Sequence, residues 1–412
     1  MGSLRPSGLA KYLPEFGWKA TILTARLPDS PKPGFDVIET DYADAFGSCK
    51  GLLGIDSGQN LMTQIAQLKR KLHIESERSV LDFLLTRLGE ITAYPDPQKR
   101  WRPSALKAGH EFLRKESVDV IMSTSSPATS HIIARELTEK HRIPWVADFR
   151  DLWTQNHYYP YSPLRKVIET RLEKRTLQSA EVLVTVCDPA ADKLRKLHPG
   201  KPIHVITNGF DPDEVNDPES DLTGKLSITY TGNLYPGKQS AEPLFAALRD
   251  LIAQGTIDAR DIEVRFYGAE AGWLEKQARQ YGLTEVVNQF GIVPRETALE
   301  KQRESQLLLF IKWSDPRERG YYSAKIFEYL AAKRPILAIG GHDDVASKLV
   351  DETRAGINCS TEAHVKAMLK ELYNEFKKFG RISYQGEEHI INRYSQMEMA
   401  RQFAEVLDRV AS

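Results

Sequence analysis

The sequence predicts two doubly wound α/β domains in series, on three observations. Short β-rich runs alternate with amphipathic helical runs along most of the chain. The rhythm restarts once, after the Asp-, Pro-, Asn- and Gly-rich stretch "NGFDPDEVNDPESDLTGK" at 208–225. The chain also has 412 residues, more than one ordinary core accommodates.

In the first half, strands are expected at 19–24 (KATILT), 118–124 (VDVIMST), 144–147 (PWVA), 181–186 (EVLVTV) and 203–206 (IHVI). Helices separate most of them, for example at 130–140 and 164–179. Apolar strands joined by helical crossovers imply a parallel sheet covered on both faces. Residues 26–110 are less regular, with amphipathic helices at 59–72 and 79–90. The second half brings strands at 226–232, 262–268, 286–291, 307–313 and 335–341. The expected organisation is a first domain at 1–207, a linker at 208–225 and a second domain at 226–392, with the helix at 393–412 completing the first. Two such sheets in series leave a cleft between their carboxyl ends, where ligands bind in this class of fold.

Composition narrows the function. The chain is 41% hydrophobic and 27% charged, and 56 basic residues balance 56 acidic ones, so no net charge points to nucleic acid. Cys49, Cys187 and Cys359 stand alone with no CxxC pair, which fits a reducing compartment and neither a disulfide framework nor a zinc site. No apolar run of the ~18 residues needed to span a bilayer occurs. The opening "MGSLRPSGLAKYLPEFGW" lacks the apolar core of a signal peptide. A cytoplasmic protein is expected. Basic amphipathic runs around Lys69–Lys71 and Arg165–Arg175 leave open a weak contact with the inner face of a membrane.

Five stretches carry candidate chemistry. In "RERGYYSAKIFEYLAAKRPILAIGG" (317–341), Ser323 suits the N-cap of a helix that Pro335 ends. The N–H groups of Ala324, Lys325 and Ile326 then form an anion site, to which Lys325 adds full charge. Glu328, one turn on, is placed to accept hydrogen bonds from ligand hydroxyls; a solvated helix with an incidental Glu is the plain alternative. In "YTGNLYPGKQSAEPL", Gly232 permits a tight turn and Lys238 stands near a helix start. In "FGIVPRETALEKQ", Val293 and Arg295 follow a strand, where a flat base can be met, although on these residues alone an ordinary βα loop is the favoured reading. In "PWVADFRDLWTQNHYYPYSP", Asp148, Arg150 and Asp151 crowd a strand's carboxyl end, as an anion clamp and sugar ligands or as a structural pair. Trp153, with His157, Tyr158 and Tyr159, is placed to shape an acceptor pocket. In "STSSPATSHIIA", Ser125 and Ser126 line the cleft, while Thr129 suits a cap. No GxGxxG, Walker A, GxSxG or metal-ligand cluster occurs.

Together the stretches "RPSGLAKYLPEFGWKATILT", "VADFRDLW", "VITNGFDP", "TYTGNLYPGK", "FGIVPRE" and "SAKIFEYLAAKRPILA" resemble the GT-B glycosyltransferases, and among them the retaining family 4 enzymes (glycosyl transferases group 1). They span nearly the whole chain in that family's order. The resemblance implies two Rossmann-like domains, with a UDP- or GDP-sugar donor bound mainly to the second. It implies a glycan or lipid-linked acceptor at the first, in the synthesis of surface polysaccharide or glycoconjugates. It puts Gly232, Lys238 and Ser323 to Ile326 at the diphosphate, Val293 at the base, Glu328 at the ribose, and Arg150 and Asp151 near the transferred sugar. It implies no metal and no cofactor.

Two departures stand out. The second acidic residue expected eight positions before Glu328 is replaced by Gly320, with Glu318 nearby. A first strand and Gly-rich loop do not precede "RPSGLAKYL", so the first sheet is expected to lack its usual first strand, and an upstream coding extension is expected to restore it. A nucleotide-sugar epimerase of the same architecture, and an inactive nucleotide-sugar-binding homologue, remain alternatives.

Overall fold

A computed structural model describes residues 4–26, 34–42, 93–156, 159, 161–215, 222–315, 322–341 and 344–412. The helices expected at 59–72 and 79–90, Cys49, Lys69–Lys71, His157, Tyr158, Glu318 and Gly320 lie outside them.

The second half forms a six-stranded parallel sheet of β7 (Leu226–Thr231), β8 (Ile262–Tyr267), β9 (Val287–Gln289), β10 (Leu307–Ile311), β11 (Ile336–Ile339) and β12 (Gly356–Cys359). The spatial order is β12-β11-β10-β7-β8-β9. The period-two alternation of β10 shows why it is central: Leu307, Leu309 and Ile311 enter one core with Tyr230, Leu244 and Leu248, while Leu308 and Phe310 enter the other with Ile326, Leu330 and Leu349. The chain winds outward in both directions from the β7/β10 junction, so the crevice beyond the carboxyl ends of those two strands is the topological switch point. The sequence reading found five of these strands. It missed β12, whose short "GINC" run carries one buried residue and little apolar signal.

The first half holds a parallel sheet ordered β3 (Ile121–Ser125), β4 (Trp145–Phe149), β5 (Val182–Thr185) and β6 (Ile203–Val205). A separate parallel pair joins β1 (Thr21–Ala25) to β2 (Asp36–Thr40), which the sequence had not announced. Leu23 of β1 and Ile121 of β3 pack on the same cluster of Ala105, Ile133 and Leu137, yet among the described residues no backbone ladder joins β1 to β3.

Helices α1 (Leu4–Tyr12), α2 (Arg102–Leu113), α3 (Thr129–His141), α4 (Pro163–Thr176) and α5 (Asp188–Leu197) belong to the first half. Those of the second are α6 (Glu242–Ala253), α7 (Gly272–Gln280), α8 (Arg295–Arg303), α9 (Ala324–Ala332), α10 (Val345–Thr353), α11 (Glu362–Phe379) and the short α12 (Glu388–Ile391). The last, α13 (Gln396–Ala411), returns to the first half, where Met399, Phe403 and Leu407 pack against Leu9, Tyr12 and Val146.

The chain crosses between the halves twice, and the crossings are laced together. Phe210 N–H donates to the Tyr394 carbonyl at 3.0 Å, and Gln396 N–H donates to the Phe210 carbonyl at 2.7 Å. The first residues of the expected 208–225 linker thus form a fixed joint. Gly209 is what lets the two crossings touch: a Cβ there would lie 2.4 Å from the Ser395 carbonyl carbon. Gly209→Ala is therefore expected to lower stability by about 1–3 kcal/mol, as overpacking against backbone does. A urea midpoint unchanged from wild type would contradict this close approach.

Candidate active site

The two halves face each other across a cleft of about 450 Å³. The second half supplies one wall from the switch point. After β7 the chain turns at Gly232, whose φ of 107° favours glycine. The Gly232 N–H bonds the Tyr267 carbonyl at 2.7 Å. After β10, α9 begins at the cleft. Ser323 stands at the expected N-cap position in extended conformation, but its side chain makes no cap bond. Its carbonyl instead accepts the Ile326 N–H at 3.1 Å. Ile326 is thus withdrawn from the anion site, and its side chain is buried in the core. The N–H groups of Ala324 and Lys325 have no partner among the described residues, and both residues line the cleft.

Lys325 is the unusual group. Its side chain runs inward, and the ammonium donates to the Tyr230 hydroxyl at 2.5 Å while lying 3.8 Å from the centre of that ring. Burial lowers its pKa to about 7, against a smaller raising effect from Glu328. Glu328 lies one turn further on, facing the cleft with a side chain 19% exposed. Its carboxylate is 3.5 Å from both Arg295 Nη2 and Gln302 Nε2. Arg295 grips Glu214 of the first crossing with two bonds, at 2.5 and 2.7 Å. The residue assigned to a nucleotide therefore lines the cleft as a bridge between Glu328 and the joint. Lys238 and Val293 are not part of the lining; Lys238 sits 5.6 Å from the Trp313 ring, and Val293 is half-buried on its loop.

The first half supplies the opposite wall at the ends of β3 and β4. Asp151 N–H donates to the Ser125 carbonyl at 3.1 Å, and Ser125 Oγ donates back to the Asp151 carbonyl at 2.8 Å. Arg150 donates to the Ser126 carbonyl at 2.8 Å and pairs with Asp151 at 3.6 Å. Arg150 and Asp151 line the cleft, held by Ser125 and Ser126, which act as scaffold beneath them. Trp153 is buried, and its indole N–H points to Glu169 at 3.3 Å, so it does not shape the cleft as expected. Thr129 is held by Asp96, which accepts from its N–H and hydroxyl, both at 2.7 Å. His131 is a core residue bonded to Ser123 at 2.7 Å, with burial lowering its pKa to about 3.

Asp148 requires the largest correction. On β4 it shares the α1 face with Val146, opposite to Ala147 and Phe149, and is fully buried. Its oxygens accept from Arg5 at 2.9–3.2 Å and from Thr124 Oγ1 at 2.7 Å. It is committed to Arg5 and does not reach the cleft. The sequence reading gave Arg5 no role, although a buried Asp inside the apolar run "PWVADF" demands a cationic partner from elsewhere. Asn233, Tyr235 and Trp313 were also missed; all three line the cleft, with the two rings 5.0 Å apart.

The described residues contain no cluster of three or more metal-ligating side chains and no helix long and apolar enough to cross a membrane. A switch-point crevice with open N–H groups at a helix start, facing a second sheet across a two-crossing joint, is one arrangement. The chain superposes along nearly its full length on HepE of Anabaena in complex with UDP and glucose, with a TM-score of 0.63 at 14% identity, covering 99% of this chain and 96% of that one. The chain has the GT-B glycosyltransferase fold. Sucrose-phosphate synthase of Thermosynechococcus elongatus is similar to this GT-B chain at a TM-score of 0.62 and 12% identity, covering 97% and 91% of the two chains. A glycosyltransferase of Rickettsia africae gives 0.57 at 15% identity, with 99% and 95% covered. The sequence model of Glycosyltransferase Family 4 matches residues 72–214 of it. No curated protein matches by sequence.

Arg5→Met leaves Asp148 buried without its cation and is expected to cost about 3–5 kcal/mol. Arg5→Met with Asp148→Leu should recover part of that loss in guanidinium melts; a double variant no more stable than the single would contradict the pairing.

Proposed function

We propose that the protein transfers a sugar from a UDP- or GDP-sugar to a glycan or lipid-linked acceptor, with retention and without a metal ion, in surface polysaccharide or glycoconjugate synthesis. The observation that carries this reading is the α9 start: two open N–H groups, the Lys325 ammonium and the Glu328 carboxylate lie along one wall of the cleft. A diphosphate would meet the N–H groups and Lys325, and a ribose would present its hydroxyls to Glu328. The positive end of the helix and Lys325 would take up charge on the leaving diphosphate, which a metal does elsewhere. HepE, of the same fold, has been crystallised with UDP and with UDP-glucose.

Arg150 and Asp151 stand across the cleft from this wall. In the proposed mechanism Asp151 stabilises positive charge developing on the transferred sugar, and Arg150 orients Asp151 and the acceptor. Membrane contact would come through α4, where Leu164 is 72% exposed beside Val167 and Ile168, with Arg171, Lys174 and Arg175 further along the helix. Flotation with anionic vesicles that persists in Leu164→Asp would remove that assignment.

Incubation with a panel of UDP- and GDP-sugars should show slow donor hydrolysis with release of the nucleoside diphosphate, unchanged by EDTA. Interconversion of the sugars would point to an epimerase, and binding without turnover to a non-catalytic homologue. Glu328→Ala should weaken UDP or GDP binding by about tenfold, the worth of a hydrogen bond to a charged group. It should leave the 2′,3′-dideoxy nucleotide unaffected. An equal loss for both nucleotides would exclude the ribose role.

A further inference from the structure

Lys325 is a cation with almost no countercharge. Among the described residues its ammonium has one hydrogen-bond partner, the neutral Tyr230 hydroxyl, and it makes no ion pair. Tyr230 itself is fully buried on β7, and its hydroxyl donates to the Asn233 carbonyl at 3.0 Å. That donation leaves the oxygen lone pairs for the ammonium. Tyr230 thus anchors Lys325 from below. From above, the cover is Gly232: a Cβ there would stand 3.2 Å from Nζ and 3.4 Å from Cε. The missing side chain leaves the ammonium a way toward the cleft that both residues line.

We propose that Tyr230 positions Lys325 beneath Gly232, and that Lys325 takes up a proton when the nucleoside diphosphate binds. The inference rests on the donor reading above and deepens it.

The charged groups around Lys325 support coupling to the ligand rather than to the protein. On its own helix the carboxylate is Glu328, which is shared with Arg295 and Gln302. From β7 it faces only Tyr230, and Tyr329 beside it on α9 is held by the Thr231 N–H and the Leu309 carbonyl. Across the cleft stand the cations Arg150 and Arg5 and the carboxylates Asp151, Asp211 and Glu214, each of which is paired with another cation: Asp151 with Arg150, Asp211 with Lys11 and Glu214 with Arg295. A buried ammonium in that setting sheds its proton near neutrality, in keeping with its pKa of about 7. A diphosphate supplies the negative charge that the fold withholds, and so raises the pKa. Donor affinity should then fall as pH rises above about 7, up to tenfold per unit.

The test is calorimetric titration of the full chain with UDP and with GDP at pH 8, in two buffers of different ionisation enthalpy. Close to one proton should be taken up per nucleotide bound. Lys325→Met should bind more weakly, with no uptake and a flat pH profile from 7 to 9. Tyr230→Phe should keep the uptake but shift the profile midpoint about one unit lower, because the hydroxyl no longer favours the charged form. Wild-type binding without proton uptake would overturn the inference and leave the donor reading intact. Failure of both nucleotides to bind would overturn the donor reading itself. An unshifted midpoint in Tyr230→Phe would remove Tyr230 as the positioning residue; the wild-type measurement stands even if a variant fails to fold.

Discussion

The rest of the structure depends on one buried guanidinium. Arg5 donates to Asp148 of β4, to the Ile206 and Thr207 carbonyls at 2.9 and 3.0 Å, and to Asn208 Oδ1 at 3.1 Å. It also lies 5.0 Å from the Phe403 ring centre on α13. One side chain therefore ties the first helix, a central strand, the first crossing and the last helix. A buried charge that is paired and fully hydrogen-bonded is tolerated, and removal of either partner is costly. Arg150 and Asp151 leave β4 two and three residues after Asp148, so the position of that cleft wall relative to the joint is inherited from this contact.

A second ionic chain links the joint to the other wall. Lys11 of α1 binds Asp211 at 2.8 Å and Asp213 at 2.5 Å, Glu214 follows in the same turn, and Glu214 holds Arg295, which approaches Glu328. These groups are partly exposed, so each pair is individually weak. Their arrangement nevertheless places the carboxylate assigned to ribose within reach of the segment that orients the two halves. Lys325 contrasts with both systems. It is buried with little countercharge, so its folded pKa falls below the ordinary value of 10.5 to about 7. Between those values the unfolded chain holds more protons, so this group costs stability below about pH 7 and the cost falls away as pH rises toward 10.5.

Much of the fold was legible because parallel, doubly buried strands read as apolar runs and their crossovers as helices. β10 and β11 are of that kind. β2 and β12 were missed because "DVIET" and "GINC" carry only partial apolar character and gain their place from neighbouring strands. In the site, residues with a local backbone signal were legible: Gly232 at a turn, and Ala324, Lys325 and Glu328 at a helix start after a strand. Those defined by long-range contact were not. Asp148 looks in sequence like Asp151, and only the arrival of Arg5 from 143 residues away separates a structural carboxylate from one facing the cleft. Trp153 and Ile326 were misplaced for the same reason, since their burial against distant partners has no local mark.

The central claim is that a nucleoside diphosphate binds at the β7/β10 switch point against α9. A crystal structure of the protein with UDP or GDP tests it most directly. The account predicts the diphosphate oxygens on the Ala324 and Lys325 N–H groups and on Lys325 Nζ, with the ribose hydroxyls on Glu328. A nucleotide seated elsewhere in the cleft, with the α9 start and Glu328 untouched, would contradict it.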